Sequence, residues 1–300
     1  MSSKYAYMRD ETPDSYSIKE LQDSILKIAV FIDHVCKKNG IEYCLMSGSA
    51  IGALRHNGFI PWDDDLDIFM TPANYGRFIE CAKKETDFCN FHIQEWGRIG
   101  KYFASSKLRL NGTTYLEEGM EKWDIHKGIF VDIFILHNCP NSSISRFFHF
   151  CASRYVVAKG MAERKNKEKS FIRKFAFAFL RIFPKWFLVK ACLKIAYKYD
   201  SKSTKYVCHY FGHPGYRKGI YLSSWFFSNT TVPFEKTTLN IPIGCDEYLR
   251  SRWGDYMKLP DLSMINRSRH ANNWSCTKDY SLFVNKKVIK PGFNEKNLIC

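Results

Sequence analysis

Among its 11 cysteines this chain has no Cys-x-x-Cys pair, and no Cys/His set stands at zinc-ligand spacing. A redox dithiol motif and a sequence-local zinc module are thereby excluded. The cysteines are expected to be reduced and mostly small buried residues, with Cys81 and Cys89 at core-facing helix and strand positions. No run approaches the roughly 18 apolar residues that a membrane-spanning helix needs. Residues 1–15 are polar and charged, without the apolar stretch of a secretory signal. A cytoplasmic location follows as an expectation, and the sequons at Asn111 and Asn273 are read as chance. Internal repeats and low-complexity tracts are also missing. Acidic residues are few beside basic ones, 30 against 45, for a net charge of +15.

What is present suits an enzyme. A chain of 300 residues holds one or two domains and can bury a substantial core. Hydrophobic residues at 45% and aromatics at 16% exclude a largely disordered protein. Ile18, Leu21, Ile25, Ile28, Ile32 and Val35 recur at helical intervals, so a helix is expected from Ser17 to Asn39. Ser17 and Glu20 have capping-box spacing there, and Gly40 supplies the stop. Strands are expected at Glu42–Met46, Leu66–Met70, Phe91–Glu95, Tyr102–Leu110 and Ile129–Leu136. Pro72 opens a helix to about Glu85. This alternation implies an α+β fold, a mixed sheet with helices packed against it. Ile144 to Tyr199 reads as helical, basic and aromatic. The last third reads as irregular, with a helix at Asp246–Arg252. Three regions result: a catalytic core at 1–140, the basic aromatic segment at 141–210, and a C-terminal region at 211–300 that completes the substrate site.

The densest chemistry lies in Leu45–Met70, LMSGSAIGALRHNGFIPWDDDLDIFM. Asp63, Asp64, Asp65 and Asp67 run into an apolar strand. Alternation would put Asp63, Asp65 and Asp67 on one face, where like charges repel unless a cation lies between them. Hard oxygen donors of this kind suit Mg²⁺ or Mn²⁺. Upstream, Gly48-Ser49 precedes a short helix, and backbone amides at such a start bind phosphate. Arg55 and His56 at the end of that helix would reach a phosphate or cap the helix C-terminus. Trp62 would stack on a base, wall a pocket or serve the core. Together these features point to chemistry on a nucleotide or diphosphate.

Gly48-Ser49 and the run from Arg55-His56 through Gly58-Phe59-Ile60-Pro61-Trp62-Asp63-Asp64-Asp65-Leu66-Asp67-Ile68 closely resemble the signature of the LicD family. That family is similar to the wider nucleotidyltransferase (DNA-polymerase-β-like) superfamily, which implies the same mixed-sheet core here. A second block, Gly128-Ile129-Phe130-Val131-Asp132-Ile133-Phe134, resembles the family's third-carboxylate strand and assigns Asp132 that role. A third resembles Asp246-Glu247-Tyr248-Leu249, Trp253-Gly254-Asp255-Tyr256-Met257 and Arg269-His270. The resemblance runs in order from about Ile18 to His270. It implies that Asp65, Asp67 and Asp132, with Asp63, hold Mg²⁺ or Mn²⁺ and carry catalysis. Asp132 would also accept the proton of a sugar hydroxyl. Lys107 and Arg109, alternating on one strand, would join Gly48, Ser49, Arg55 and His56 in binding the donor's phosphates. Trp62, Asp255, Tyr256, Arg269 and His270 would line the substrate pocket. Ile135-Leu136-His137-Asn138 departs from the family's usual Pro-Leu-Asp, which leaves any orienting role of that missing Asp in question.

The resemblance implies phosphotransfer. A CDP-linked donor would pass phosphocholine or a similar group to a glycan or lipid-linked saccharide, in lipopolysaccharide, capsule or teichoic-acid assembly, and release CMP. Two alternatives stay open: a nucleotide-sugar glycosyltransferase with a DxD metal site, and a non-catalytic membrane-associated scaffold. Only about sixty residues precede the motif, short for the former. Retained carboxylates are a liability for the latter. Much of the positive charge lies in Arg164–Lys202, interleaved with Phe171, Phe175, Phe177, Phe179, Phe183, Trp186 and Phe187. Such a helix suits an anionic lipid surface on the inner face of the cytoplasmic membrane, or ordinary packing on the sheet. Nucleic acid is not expected as a partner, because no recognition motif accompanies the charge.

Overall fold

The computed structural model describes residues 18–95, 105–117, 120, 123–163, 185–212, 215–260 and 271–284. Helix α1 (Lys19–Asn39) buries Leu21, Ile25, Ile28, Ile32 and Val35, and ends at Gly40 in the left-handed conformation (φ 57°). The expected cap at Ser17 lies outside the described residues, and Ile18 at the cap position makes no side-chain bond.

Five strands form the central sheet, in the order β1 (Cys44–Leu45), β2 (Asp67–Met70), β6 (Phe130–Ile135), β4 (Ser106–Leu110), β3 (Phe91–Gln94). Strands β2 and β6 run parallel, and the other pairs are antiparallel. The sheet is therefore mixed and the fold α+β, as expected. The central strands are buried along most of their length, which explains why they read as near-continuous apolar runs rather than alternating ones. Their neighbours pack with α1 into one core containing Ile28, Leu45, Ile68, Leu108 and Ile133. Helix α2 (Ser47–His56) follows β1 directly. Helix α3 (Pro72–Ala82) starts with proline in its first turn, and Thr71 Oγ1 accepts from the Asn74 amide.

The last third is more regular than its sequence suggested. Strands β10 (Asn229–Phe234) and β11 (Thr237–Pro242) form a hairpin. Strand β12 (Ala271–Ser275) pairs antiparallel with β5 (Thr114–Glu117). The hairpin's polar outward residues hide its apolar face, Phe234, Leu239 and Ile241, which joins the main core. A third sheet joins β7 (His137–Cys139), β8 (Tyr206–Cys208) and β9 (Ile220–Leu222). Here His137 Nδ1 and the Asn138 amide bond the Asp200 carboxylate at 2.8 and 3.2 Å, at the place where the sequence departs from the pattern it resembles.

The helical segment contains α4 (Ser143–Glu163) packed on α5 (Lys185–Tyr197). Its basic stretch from Arg164 to Pro184 lies outside the described residues. Among described residues, no helix is long and apolar enough to cross a membrane. Ile144, Phe147, Phe148 and Phe187 are nonetheless exposed on this pair. The described cysteines are all free, and Cys36, Cys44, Cys139, Cys192, Cys208 and Cys245 are buried. Cys81, half-buried on α3, packs against the main core as expected, whereas Cys89 does not take the expected strand position: it is exposed in a 3-10 turn (Thr86–Asn90) that interrupts the chain before β3.

Candidate active site

A cavity of about 800 Å³ opens over the ends of β2 and β6. Its floor is set by strand register. Asp67 on β2 pairs with Asp132 on β6, and Lys107 on β4 pairs with Asp132 from the other side. Adjacent paired residues point the same way in a sheet, so one central position gathers two carboxylates and a cation. Asp63 and Asp65, on the loop into β2, line the same cavity, while Asp64 turns into the interior. Gln22 Nε2 on α1 donates to the carbonyls of Ile60 and Asp63 at 3.2 and 2.9 Å and holds that loop. Glu235, from the hairpin, accepts from the Phe59 amide at 3.0 Å.

The electrostatics follow from this crowding. Burial raises the Asp67 carboxyl well above its usual range, and the charges of Asp65, Asp132 and Asp63 add to the rise, with Lys107 opposing. Asp132 is held on both oxygens: Lys107 Nζ lies 2.9 Å from Oδ1 and 3.0 Å from Oδ2, and the Ser105 hydroxyl donates to Oδ1 at 2.5 Å. Lys107 also reaches Glu117 Oε1 at 3.2 Å. Burial alone would raise the Glu117 carboxyl, but the charges of Lys107 and Arg109 outweigh it and hold it at about 2.

The first turn of α2 forms one wall. Ser47 adopts a left-handed backbone (φ 46°), and its amide donates to the Tyr248 hydroxyl at 3.1 Å. Tyr248 belongs to α6 (Cys245–Trp253), so the C-terminal region fixes this turn. A Cβ on Gly48 would meet Asp63 Oδ2 at 2.8 Å, which accounts for glycine there. The Gly48-Ser49 pair thus lies inside the first helical turn, not in a turn before it. At a helix start, amides lack intrahelical acceptors and face outward.

The expected site residues divide into two groups. Gly48, Arg55, Trp62, Asp63, Asp65, Asp67, Lys107, Asp132, Asp255 and Tyr256 line one cavity. Ser49, His56 and Arg109 do not. The Ser49 hydroxyl accepts from the Asp67 amide at 2.8 Å and lies beneath the site. His56 is buried, with its Nε2 accepting from Arg55 Nε at 2.9 Å. Arg109 is fully buried and spends its guanidinium on Gln94 Oε1, Gly128 O and Glu117 Oε2 at 2.8, 2.8 and 2.9 Å. Its place on the expected strand was legible, but the interior set of acceptors was not. Arg55 Nη1 donates to the Tyr256 carbonyl at 2.8 Å and ties α2 to the C-terminal block. Arg269 and His270 lie outside the described residues.

Sequence reasoning missed Ser105, Glu117, Arg154, His209 and Arg252, which also line the cavity. Arg154 comes from α4 and His209 follows β8. Neither stands in a motif. Only packing of the helical segment brings them to the site.

Residues 40–127 match the family model described as LicD/FKTN/FKRP, nucleotidyltransferase domain. Across most of its length the chain is similar to the lipopolysaccharide cholinephosphotransferase LicD of Haemophilus influenzae: 27% identical over 259 residues, 81% of this chain and 92% of the relative. Shorter matches link it to uncharacterized proteins of Rickettsia typhi and Rickettsia prowazekii. Each is 38% identical over 66 residues, 22% of this chain and 21% and 25% of the relative. The LicD resemblance carried by the motifs is therefore borne out.

Proposed function

We propose that this chain is a metal-dependent phosphotransferase of the nucleotidyltransferase type. It would move phosphocholine or a similar phospho-substituent from a CDP-linked donor to a sugar of a cell-surface glycan, most simply lipopolysaccharide. The long similarity to a cholinephosphotransferase supports the substrate class. One observation carries the chemistry: Asp67 and Asp132 stand side by side on parallel strands, with Asp65 and Asp63 in the same cavity wall.

The donor set fits Mg²⁺ or Mn²⁺. It consists of hard carboxylate oxygens gathered on one cavity wall. Asp65, Asp67 and Asp132, with Asp63, would hold the ion. When bound, it would neutralise charge developing on the donor's diphosphate. The amide of Gly48, at the helix start on the cavity wall, would face the same phosphates. Lys107 and Ser105 orient the Asp132 carboxylate, which takes the proton of the attacking sugar hydroxyl. Trp62, Asp255 and Tyr256 wall the donor and acceptor space. The first 140 residues act as the catalytic core, and the later regions complete the pocket.

Exposed Phe147, Phe148 and Phe187, together with the basic charge that the sequence carries in Arg164–Lys202, support a peripheral position on an anionic membrane that carries a lipid-linked acceptor.

The test is incubation of the full chain with Mg²⁺ or Mn²⁺ and separate CDP-choline, CDP-ribitol, CDP-glycerol and nucleotide-sugar donors. CMP release from a CDP-alcohol, lost on chelation, is the expected result. Turnover of nucleotide sugars alone would replace this reading with glycosyl transfer.

A further inference from the structure

Outside the catalytic cavity, three side chains far apart in sequence converge in the interior: Cys139, His149 and Cys208. Their sulfur and ring nitrogen atoms all lie within 4.8 Å of one another, and all three residues are buried. Register explains the sulfurs. His137 pairs with Cys208 and Cys139 with Tyr206, so the two cysteines are diagonal neighbours on one face of the β7–β8 pair. Helix α4 covers that face and supplies His149.

The tautomer of His149 is set by its other partner. Its Nε2 lies 2.7 Å from the Ala196 carbonyl on α5, and a carbonyl can only accept. The proton is therefore on Nε2, and Nδ1 presents a lone pair toward Cys208 Sγ at 3.7 Å. A ligating histidine fixed through its second nitrogen to a backbone carbonyl is the usual outer-shell arrangement of metal sites. The surroundings are aromatic, from Phe150, Tyr210 and Tyr216. The buried Tyr210 hydroxyl lies beside Cys139 in this cluster and interacts with its thiol.

We propose that Cys139, His149 and Cys208 form a structural zinc site, with the Tyr210 hydroxyl or a water as fourth donor. Tetrahedral Zn²⁺ with bonds of about 2.3 Å to sulfur and about 2.0 Å to nitrogen separates its ligand atoms by about 3.5–3.8 Å. The observed grouping needs little adjustment to reach that. Borderline-soft thiolate and imidazole donors select zinc over the hard ions suited to the aspartate cluster. The site would clamp α4 to the strand that continues from Asp132. Arg154, Val157 and Met161 of α4 line the catalytic cavity, and so does His209, next to Cys208. The metal thus sets one wall of the active site without touching substrate. This assignment does not rest on the phosphotransfer reading.

Cobalt(II) titration of the metal-stripped full chain tests it. The expected spectrum has a thiolate-to-cobalt charge-transfer band and intense four-coordinate visible bands, saturating at one equivalent and displaced by zinc. Cys139→Ser and Cys208→Ser should lose the charge-transfer band. Cys89→Ser and Cys151→Ser, at exposed positions, should keep it, and so should Asp67→Asn, because carboxylates give no such band. Protein purified without chelator should carry zinc and melt higher than the stripped form. A wild type with free thiols and no charge-transfer band overturns the site, as does a Cys139–Cys208 disulfide found by non-reducing peptide mapping.

Discussion

Lys107 Nζ bridges both carboxylate oxygens of Asp132, at 2.9 and 3.0 Å, while Asp67 stands on the opposite side of Asp132 in the sheet. One carboxylate of the pair is thus neutralised by protein and the other is not. Their mutants should differ accordingly.

Asp67→Asn should abolish turnover and divalent-ion binding while leaving the melting temperature at or above wild type. The sign follows from linkage. A carboxyl whose folded-state pKa is raised favours the fold at low pH, and that contribution is lost as pH rises from the unfolded value through the folded one. At neutral pH the metal-free wild type therefore carries a penalty that Asn removes. Calorimetry of both proteins checks the stability, and full activity in the mutant would end the proposed mechanism.

Asp132→Asn should lower kcat by roughly 10²–10⁴-fold, the usual worth of a general base, with KM for the donor changed less. It also leaves the buried Lys107 ammonium with Glu117 as its one carboxylate partner among the described residues, so a loss of stability should accompany it, unlike Asp67→Asn. Steady-state kinetics beside thermal melts separates the two effects. A mutant with near-normal kcat would move the proton acceptor elsewhere.

Arg109→Met tests an interior role against phosphate binding. Breaking a buried pair typically costs about 3–5 kcal/mol, so the mutant should melt well below wild type. Activity per folded molecule, measured at low temperature, should keep the wild-type KM for the donor. A rise in KM without destabilisation would return Arg109 to the phosphate site.

Glu117 should contribute to acid stability. Its carboxyl sits at about 2, below the ordinary value of 4.5, so its stabilisation is present above pH 4.5 and fades as pH falls toward 2. Urea melts of wild type and Glu117→Gln should therefore differ most near neutral pH and converge in acid.

Tyr248→Phe removes the acceptor of the Ser47 amide, and an unsatisfied buried group costs about 1–3 kcal/mol. With that turn loosened, donor KM should rise more than kcat falls. Unchanged KM would mean that the turn holds without Tyr248.

Flotation with vesicles tests the membrane surface. Wild type should bind anionic but not neutral vesicles and release with salt, each basic residue near the surface adding about 1 kcal/mol. Lys165, Lys167, Lys169 and Lys174 changed together to Gln should abolish binding while sparing donor hydrolysis. No binding by the wild type leaves the helical pair as ordinary packing.

Chain-local features were legible in the sequence. The first helix, the Asp63–Asp67 run and the buried strand carrying Asp132 each declare themselves through neighbours in the chain, by periodicity, charge crowding or motif order. Tertiary structure alone decided which of those residues meet. Asp67 and Asp132 became partners through parallel pairing between strands separated by β3, β4 and β5, a relation that no local spacing encodes. Arg109 and His56 share the polarity of the phosphate-binding candidates, but burial turned them inward. Cys139, His149 and Cys208 match no zinc-ligand spacing, because their approach comes from a diagonal across two strands and a helix laid over them. Spacing reports contacts within one element, and only packing reports contacts between elements.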